Sequence, residues 1–303
     1  MSAVSIAQRS VSVWLVAAMA IALGCSHADT APPVARVAAS VGRARVVRGA
    51  PTEITYRFQV LPGAAIDADY RVFVHVLNAD HQPIWNDDHD PPVRTSEWKP
   101  GQTVEYSRFG FVPKTALPGE ATIEVGLYRG ASRLSLEGPD PSSRESLARE
   151  YRVAAFEIQP ESANVRLILK SGWHPEESPP NDSTRTWAWT KKTAVLSFVN
   201  PRADGLFYLL YDARPDLFLA RPQQITVSIE GTALKTFVAS ANQPVTERIP
   251  IQAAAFGQAE MVELRIETDQ TFTPASLPQG GKDARELGIR VYHAFLESPI
   301  LQK

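Results

Sequence analysis

Three carboxylates fall within four positions at Asp87-Asp88-His89-Asp90, directly before Pro91-Pro92. Oxygen ligands at that density could hold a hard cation such as calcium. The stretch lacks the regular spacing and the closing bidentate Glu of an EF-hand loop. The competing reading is a hairpin loop whose Asp side chains accept hydrogen bonds from backbone N–H groups. Trp85 stands beside this cluster, where an open indole face would suit stacking on a sugar ring. A second group, Trp173, Trp187 and Trp189, is flanked by His174, Glu176, Arg185, Lys191 and Lys192. In Trp187-Ala188-Trp189 both indoles point to one face of a strand. That suits a glycan-binding platform or a ridge of core packing, since tryptophan is highly buried on average. Trp98, before Lys99-Pro100-Gly101, reads as a packing residue. His75 sits inside an apolar strand and reads as a hydrogen-bonded core histidine. No G-x-S-x-G elbow, H-E-x-x-H helix or phosphate-binding Gly loop occurs, so no catalytic residue is assigned.

The single cysteine is Cys25, which excludes an internal disulfide and a Cys-based metal centre. It ends an apolar run, Val11–Gly24, that is short for a membrane span and has the length of a signal-peptide core. Ile21-Ala22-Leu23-Gly24-Cys25 resembles the lipobox of bacterial lipoproteins, with Ala22 where Leu is usual. The resemblance implies cleavage after residue 24 and lipidation of Cys25. The alternative is ordinary cleavage after Ser26-His27-Ala28, which discards Cys25.

The elements that must position these residues read as β throughout. Of 303 residues, 24 are Pro and 17 Gly, a composition for short elements joined by turns. Val41–Val47, Thr52–Val60, Tyr70–Leu77, Val104–Phe111, Ala121–Tyr128 and Tyr151–Ile158 are expected strands, separated by Pro-Gly turns. Gln159-Pro160-Glu161-Ser162 reads as a domain boundary. A second series follows, in which Ile225–Glu230 and Val262–Thr268 alternate cleanly between apolar and polar. Helical signal is limited to Ser143–Glu150 and Gln252–Phe256. Charge is nearly balanced, 31 basic residues against 33 acidic, which argues against a nucleic-acid partner.

Two stretches carry a family resemblance. The first runs through Phe73-Val74-His75, Asp87-Asp88, Thr95-Ser96-Glu97-Trp98-Lys99-Pro100-Gly101 and Val125-Gly126-Leu127-Tyr128. The second takes in Gly172-Trp173, Trp187-Ala188-Trp189, Phe272-Thr273-Pro274 and Asp283-Ala284-Arg285-Glu286-Leu287-Gly288-Ile289. They resemble extracytoplasmic β-sandwich modules attached to bacterial membrane glycosyltransferases of the mannosyltransferase-like class. This chain has neither the many membrane spans nor the acidic catalytic loop of those enzymes. The resemblance implies fold and a surface-polysaccharide setting, not transferase activity.

The expected organisation is a signal peptide (1–24), a lipidated tether (25–36), an Ig-like antiparallel β-sandwich (37–158) and a jelly-roll-like antiparallel β-sandwich (161–303). The expected function is a non-catalytic, lipid-anchored lipoprotein of the cell envelope, facing the periplasm or the exterior. It would bind or scaffold glycan, or support polysaccharide-assembly proteins, with the membrane as a further partner. A protein–protein adaptor and a glycan-modifying enzyme are the alternatives. No cofactor is expected other than calcium at the acidic loop.

Overall fold

The computed structural model describes residues 31–139, 149–161, 165–180, 186–278 and 281–298. The leader, Cys25, Arg185 and most of the expected Ser143–Glu150 turn lie outside the described residues.

Among the described residues, ten strands build the first half: β1 (Ala35–Val41), β2 (Arg45–Val47), β3 (Pro51–Val60), β4 (Arg71–Asn78), β5 (Pro83–Asn86), β6 (Thr103–Phe111), β7 (Gly119–Arg129), β8 (Ser132–Arg133), β9 (Leu136–Glu137) and β10 (Tyr151–Gln159). One sheet has the order β6-β3-β1-β9; the other runs β2-β10-β7-β4-β5, with β8 paired to β7. Most pairings are antiparallel; β1–β9 and β10–β2 are parallel. Alternation along β3 sends Ile54, Tyr56, Phe58 and Val60 inward. They meet Val72, Val74 and Val76 of β4 in one apolar cluster. Each such aliphatic side chain contributes roughly 1.5–3 kcal/mol on burial. Gly63 and Gly101, each after a Pro, turn the chain at a φ of 80°, which other residues resist.

Expected Val41–Val47 is not one strand. Val41 ends β1 in one sheet and Arg45 begins β2 in the other. Val41, Val46 and Val47 are β-branched on either side of the crossing at Gly42-Arg43-Ala44, so the flanks read as one strand.

The second half holds β11 (Ile168–Leu169), β12 (Ala188–Trp189), β13 (Thr193–Val199), β14 (Gly205–Asp212), β15 (Gln224–Ile229), β16 (Thr232–Val238), β17 (Val245–Ile251), β18 (Met261–Thr268) and β19 (Arg290–Glu297). Its sheets run β11-β13-β18-β15-β16 and β12-β19-β14-β17, all antiparallel. Ile225, Val227, Val262, Leu264 and Ile266 fill the space between them, as their alternation requires. The expected turn at Gln252–Phe256 forms as a 3-10 turn over Ala253–Phe256. Among the described residues no helix is long and apolar enough to cross a membrane.

The two halves are packed through aromatic rings. Tyr208 and Phe295 of the second half join the apolar cluster of the first. Phe109 stacks on Tyr208, with centroids 5.8 Å apart and planes at 17°. Phe111 lies 4.7 Å from the His293 ring. The His293 Nε2 is 2.6 Å from the Gly49 carbonyl oxygen, to which it donates. Burial, with the Lys114 ammonium nearby, pushes the His293 pKa down to about 3. The imidazole is therefore neutral where it seals the junction. Arg43 pairs with Glu297 across the same boundary.

Candidate functional site

The acidic loop folds as a set of structural contacts. Asp87 accepts two hydrogen bonds from Arg108, at 2.8 and 2.7 Å, and Tyr56 Oη donates to it at 3.3 Å. Asp88 accepts from the Val74 N–H at 3.1 Å. Asp90 pairs with Arg71 at 3.1 Å. His89 is buried, its Nδ1 2.6 Å from the Asp87 carbonyl oxygen and its Nε2 2.7 Å from Tyr106 Oη. Burial lowers the His89 pKa, so the neutral ring is favoured. Burial, with the Asp87 charge, raises that of Tyr56. The carboxylates point to separate partners, and among the described residues no group of three or more His, Cys, Asp or Glu could hold a metal ion.

Trp85 is half-buried rather than fully open. Alternation in β5 lays it on the first core, edge-on to Phe156 at 6.1 Å. Part of the ring still lines a cleft at the mouth of the first sandwich, with Thr52, Ile54, Asn86, Asp87, Arg108 and Phe109–Phe111.

The second tryptophan group gathers around an arginine. Trp187 and Trp189 share a face, as their spacing requires. Antiparallel pairing sets Trp189 opposite Arg290. The Arg290 guanidinium lies 5.1 Å from the Trp187 ring centre, 5.6 Å from Trp189 and 5.3 Å from Tyr292. Its Nε donates to Asp212 at 2.8 Å and its second nitrogen donates to the other carboxylate oxygen. Asp212 is only 2% exposed, and Tyr292 Oη donates to it at 2.8 Å. That pairing raises the Arg290 pKa further. Next to it, Arg285 holds Asp283 down to about 2 and reaches Glu177, whose carboxylate also accepts from Trp187 Nε1 at 3.3 Å. Trp173 is packed against the second core and donates from Nε1 to the Val195 carbonyl at 2.9 Å. Gly172 permits this approach: a Cβ there would sit 1.8 Å from the Thr193 carbonyl oxygen. The rings and their charged partners thus satisfy one another.

A second cleft opens where the two sandwiches meet, lined by Gly42, Arg43, Pro51, Thr52, Glu53, Phe109, Tyr208 and Arg248. It shares Thr52 and Phe109 with the Trp85 cleft. The register explains the adjacency. β6 is the edge strand of its sheet, and Thr52 pairs with Gly110 and Glu53 with Phe109. Thr52 follows the inward alternation of Ile54 and Tyr56, whereas Glu53 and Phe109 lie on the other face. Thr52 is 8% exposed, and among the described residues its hydroxyl has no hydrogen-bond partner. A buried hydroxyl left unpaired costs about 1–3 kcal/mol. Arg248 extends over the Phe109 ring, 4.1 Å from its centre. Sequence reasoning missed this place. Phe109, Tyr208 and Arg248 are ordinary strand residues far apart in the chain, and only the packing of the halves unites them. The one available signal was an exposed-face aromatic pair, Phe109 and Phe111, two residues apart.

No family model matches the chain, and no curated protein matches it. Solved structures give remote likenesses. A family 35 carbohydrate-binding module from an environmental isolate is 11% identical, with a TM-score of 0.28 over 44% of this chain and 93% of that one. A structure described for the promiscuous specificity of carbohydrate-binding modules of the β-sandwich superfamily is 9% identical, with a TM-score of 0.24 over 88% of this chain and all of that one (100%). A Bacteroides uniformis β-glucuronidase is 8% identical, with a TM-score of 0.29 over 84% of this chain; the match spans 28% of that enzyme. Likenesses this remote carry no argument about activity.

Proposed function

We propose that this chain is a non-catalytic glycan-binding lipoprotein of the cell envelope, anchored through Cys25, with its glycan site in the paired clefts at the sandwich junction. The carrying observation is Thr52, which lines both clefts and whose buried hydroxyl has no partner among the described residues. A hydroxyl kept there at a cost to stability makes physical sense if a ligand hydroxyl completes it. Around it lie the groups a sugar uses: the Trp85, Phe109 and Tyr208 rings for its apolar C–H surface, and Asp87, Arg108 and Arg43 for its hydroxyls. The test is a glycan array with the full chain in detergent, run beside Thr52→Val. The swap removes the unpaired oxygen at nearly constant shape. It should raise stability by about 1 kcal/mol and lower glycan retention together. Loss of stability, or unchanged retention, would count against this site. Binding of envelope proteins with no glycan signal would favour the adaptor reading instead.

A further inference from the structure

Among the described residues, the junction cleft holds one cation, Arg248, for which no counter-ion is found. Arg43 is paired with Glu297, and Arg108 with Asp87. Arg248 is exposed and makes no ion pair among the described residues; its guanidinium is set down on the Phe109 ring. Among the described residues, Glu53 is the carboxylate that lines this cleft; it is exposed and sits across the strand pair from Phe109, while the Glu297 carboxylate is held by Arg43 and Tyr208. Arg248 itself is exposed, so its hold on the half-buried Phe109 ring is weak, since cation–π contacts at exposed sites contribute little. Its planar fork matches a carboxylate through two parallel hydrogen bonds, which are far stronger.

We infer that the junction cleft takes an acidic sugar residue, a uronic acid, whose carboxylate is captured by Arg248 while its ring replaces the guanidinium over Phe109. This deepens the glycan-binding reading and rests on it. One movement of one long side chain both exposes the aromatic face and supplies the counter-charge. Glu53, on the rim, opposes the same anion and so sets an upper limit on its affinity.

The experiment uses the full chain in detergent. Titrations are run with tetramers of glucuronic, galacturonic and mannuronic acid and with their carboxyl-reduced, neutral counterparts. At least one acidic tetramer should bind about tenfold or more tighter than its reduced form, with binding weakened by salt. Arg248→Gln should abolish that difference; Glu53→Gln should tighten the acidic one. Equal binding of acidic and reduced tetramers, or a preference that survives Arg248→Gln, would overturn the acidic-sugar inference and leave the glycan reading standing. Binding of none of the six, with the array also blank, would overturn both.

Discussion

The tryptophan face of the second sandwich and the junction clefts are both aromatic and both carry arginines, yet they differ in completeness. On the tryptophan face Arg290, Asp212, Arg285, Asp283 and Glu177 all have internal partners. Arg290 is bonded to the buried Asp212 and ringed by Trp187, Trp189 and Tyr292. At the junction, the Thr52 hydroxyl and the Arg248 charge have no partner among the described residues. Aromatic residues near charges are therefore not diagnostic of a binding site. Unspent hydrogen-bonding capacity is the sharper mark, because structural clusters consume theirs.

The comparison can be broken first on the tryptophan face. Asp212→Ala leaves a half-buried guanidinium unpaired, and the loss should approach the 3–5 kcal/mol of a broken buried pair. Trp187→Ala should cost somewhat less than the ~3–5 kcal/mol of a fully buried ring. Thermal unfolding measures both. Glycan retention by the folded variants should match the wild type, and a specific loss of retention would return the site to this face.

The next effect is on the junction seal. The folded pKa of His293 is about 3, below the ordinary value near 6.5, so the unfolded state binds the proton first as pH falls. Stability is unaffected above about pH 6.5 and declines below it, by at most about 1.4 kcal/mol per pH unit, until about pH 3. His89 is shifted in the same direction by burial and adds to the slope. His293→Gln should flatten the decline seen in pH-dependent melting; an unchanged slope would remove His293 from the account.

The smallest effect concerns the acidic loop. Asp90 and Arg71 are both well exposed, so Asp90→Asn should change stability by less than about 1 kcal/mol. Added calcium should not shift the melting temperature, because the loop's carboxylates already serve separate partners. A clear calcium-dependent rise would restore the cation reading.

Much of the architecture was legible because strands obey a period of two. Val262–Thr268 faces inward and outward just as its alternation states; Ile225, Val227 and Ile229 turn inward as expected, but Ser228, read as outward, is buried as well. The shared face of Trp187 and Trp189 was legible for the same reason. Arg290 at their centre was not, because strand pairing between residues a hundred positions apart sets that contact. The crossing between Val41 and Arg45 was hidden by the β-branched residues on either side of Gly42-Arg43-Ala44. The junction clefts were least legible, since they depend on how two sheets dock, and docking leaves no periodic trace.

The most direct measurement is hydrogen exchange of the full chain with and without its best glycan from the array. The account predicts new protection in β3 around Thr52, in β6 around Phe109 and in β17 around Arg248, with none in β12 or at the start of β19. Protection confined to Trp187–Trp189 and Arg290–Tyr292, with the junction strands unchanged, would contradict it.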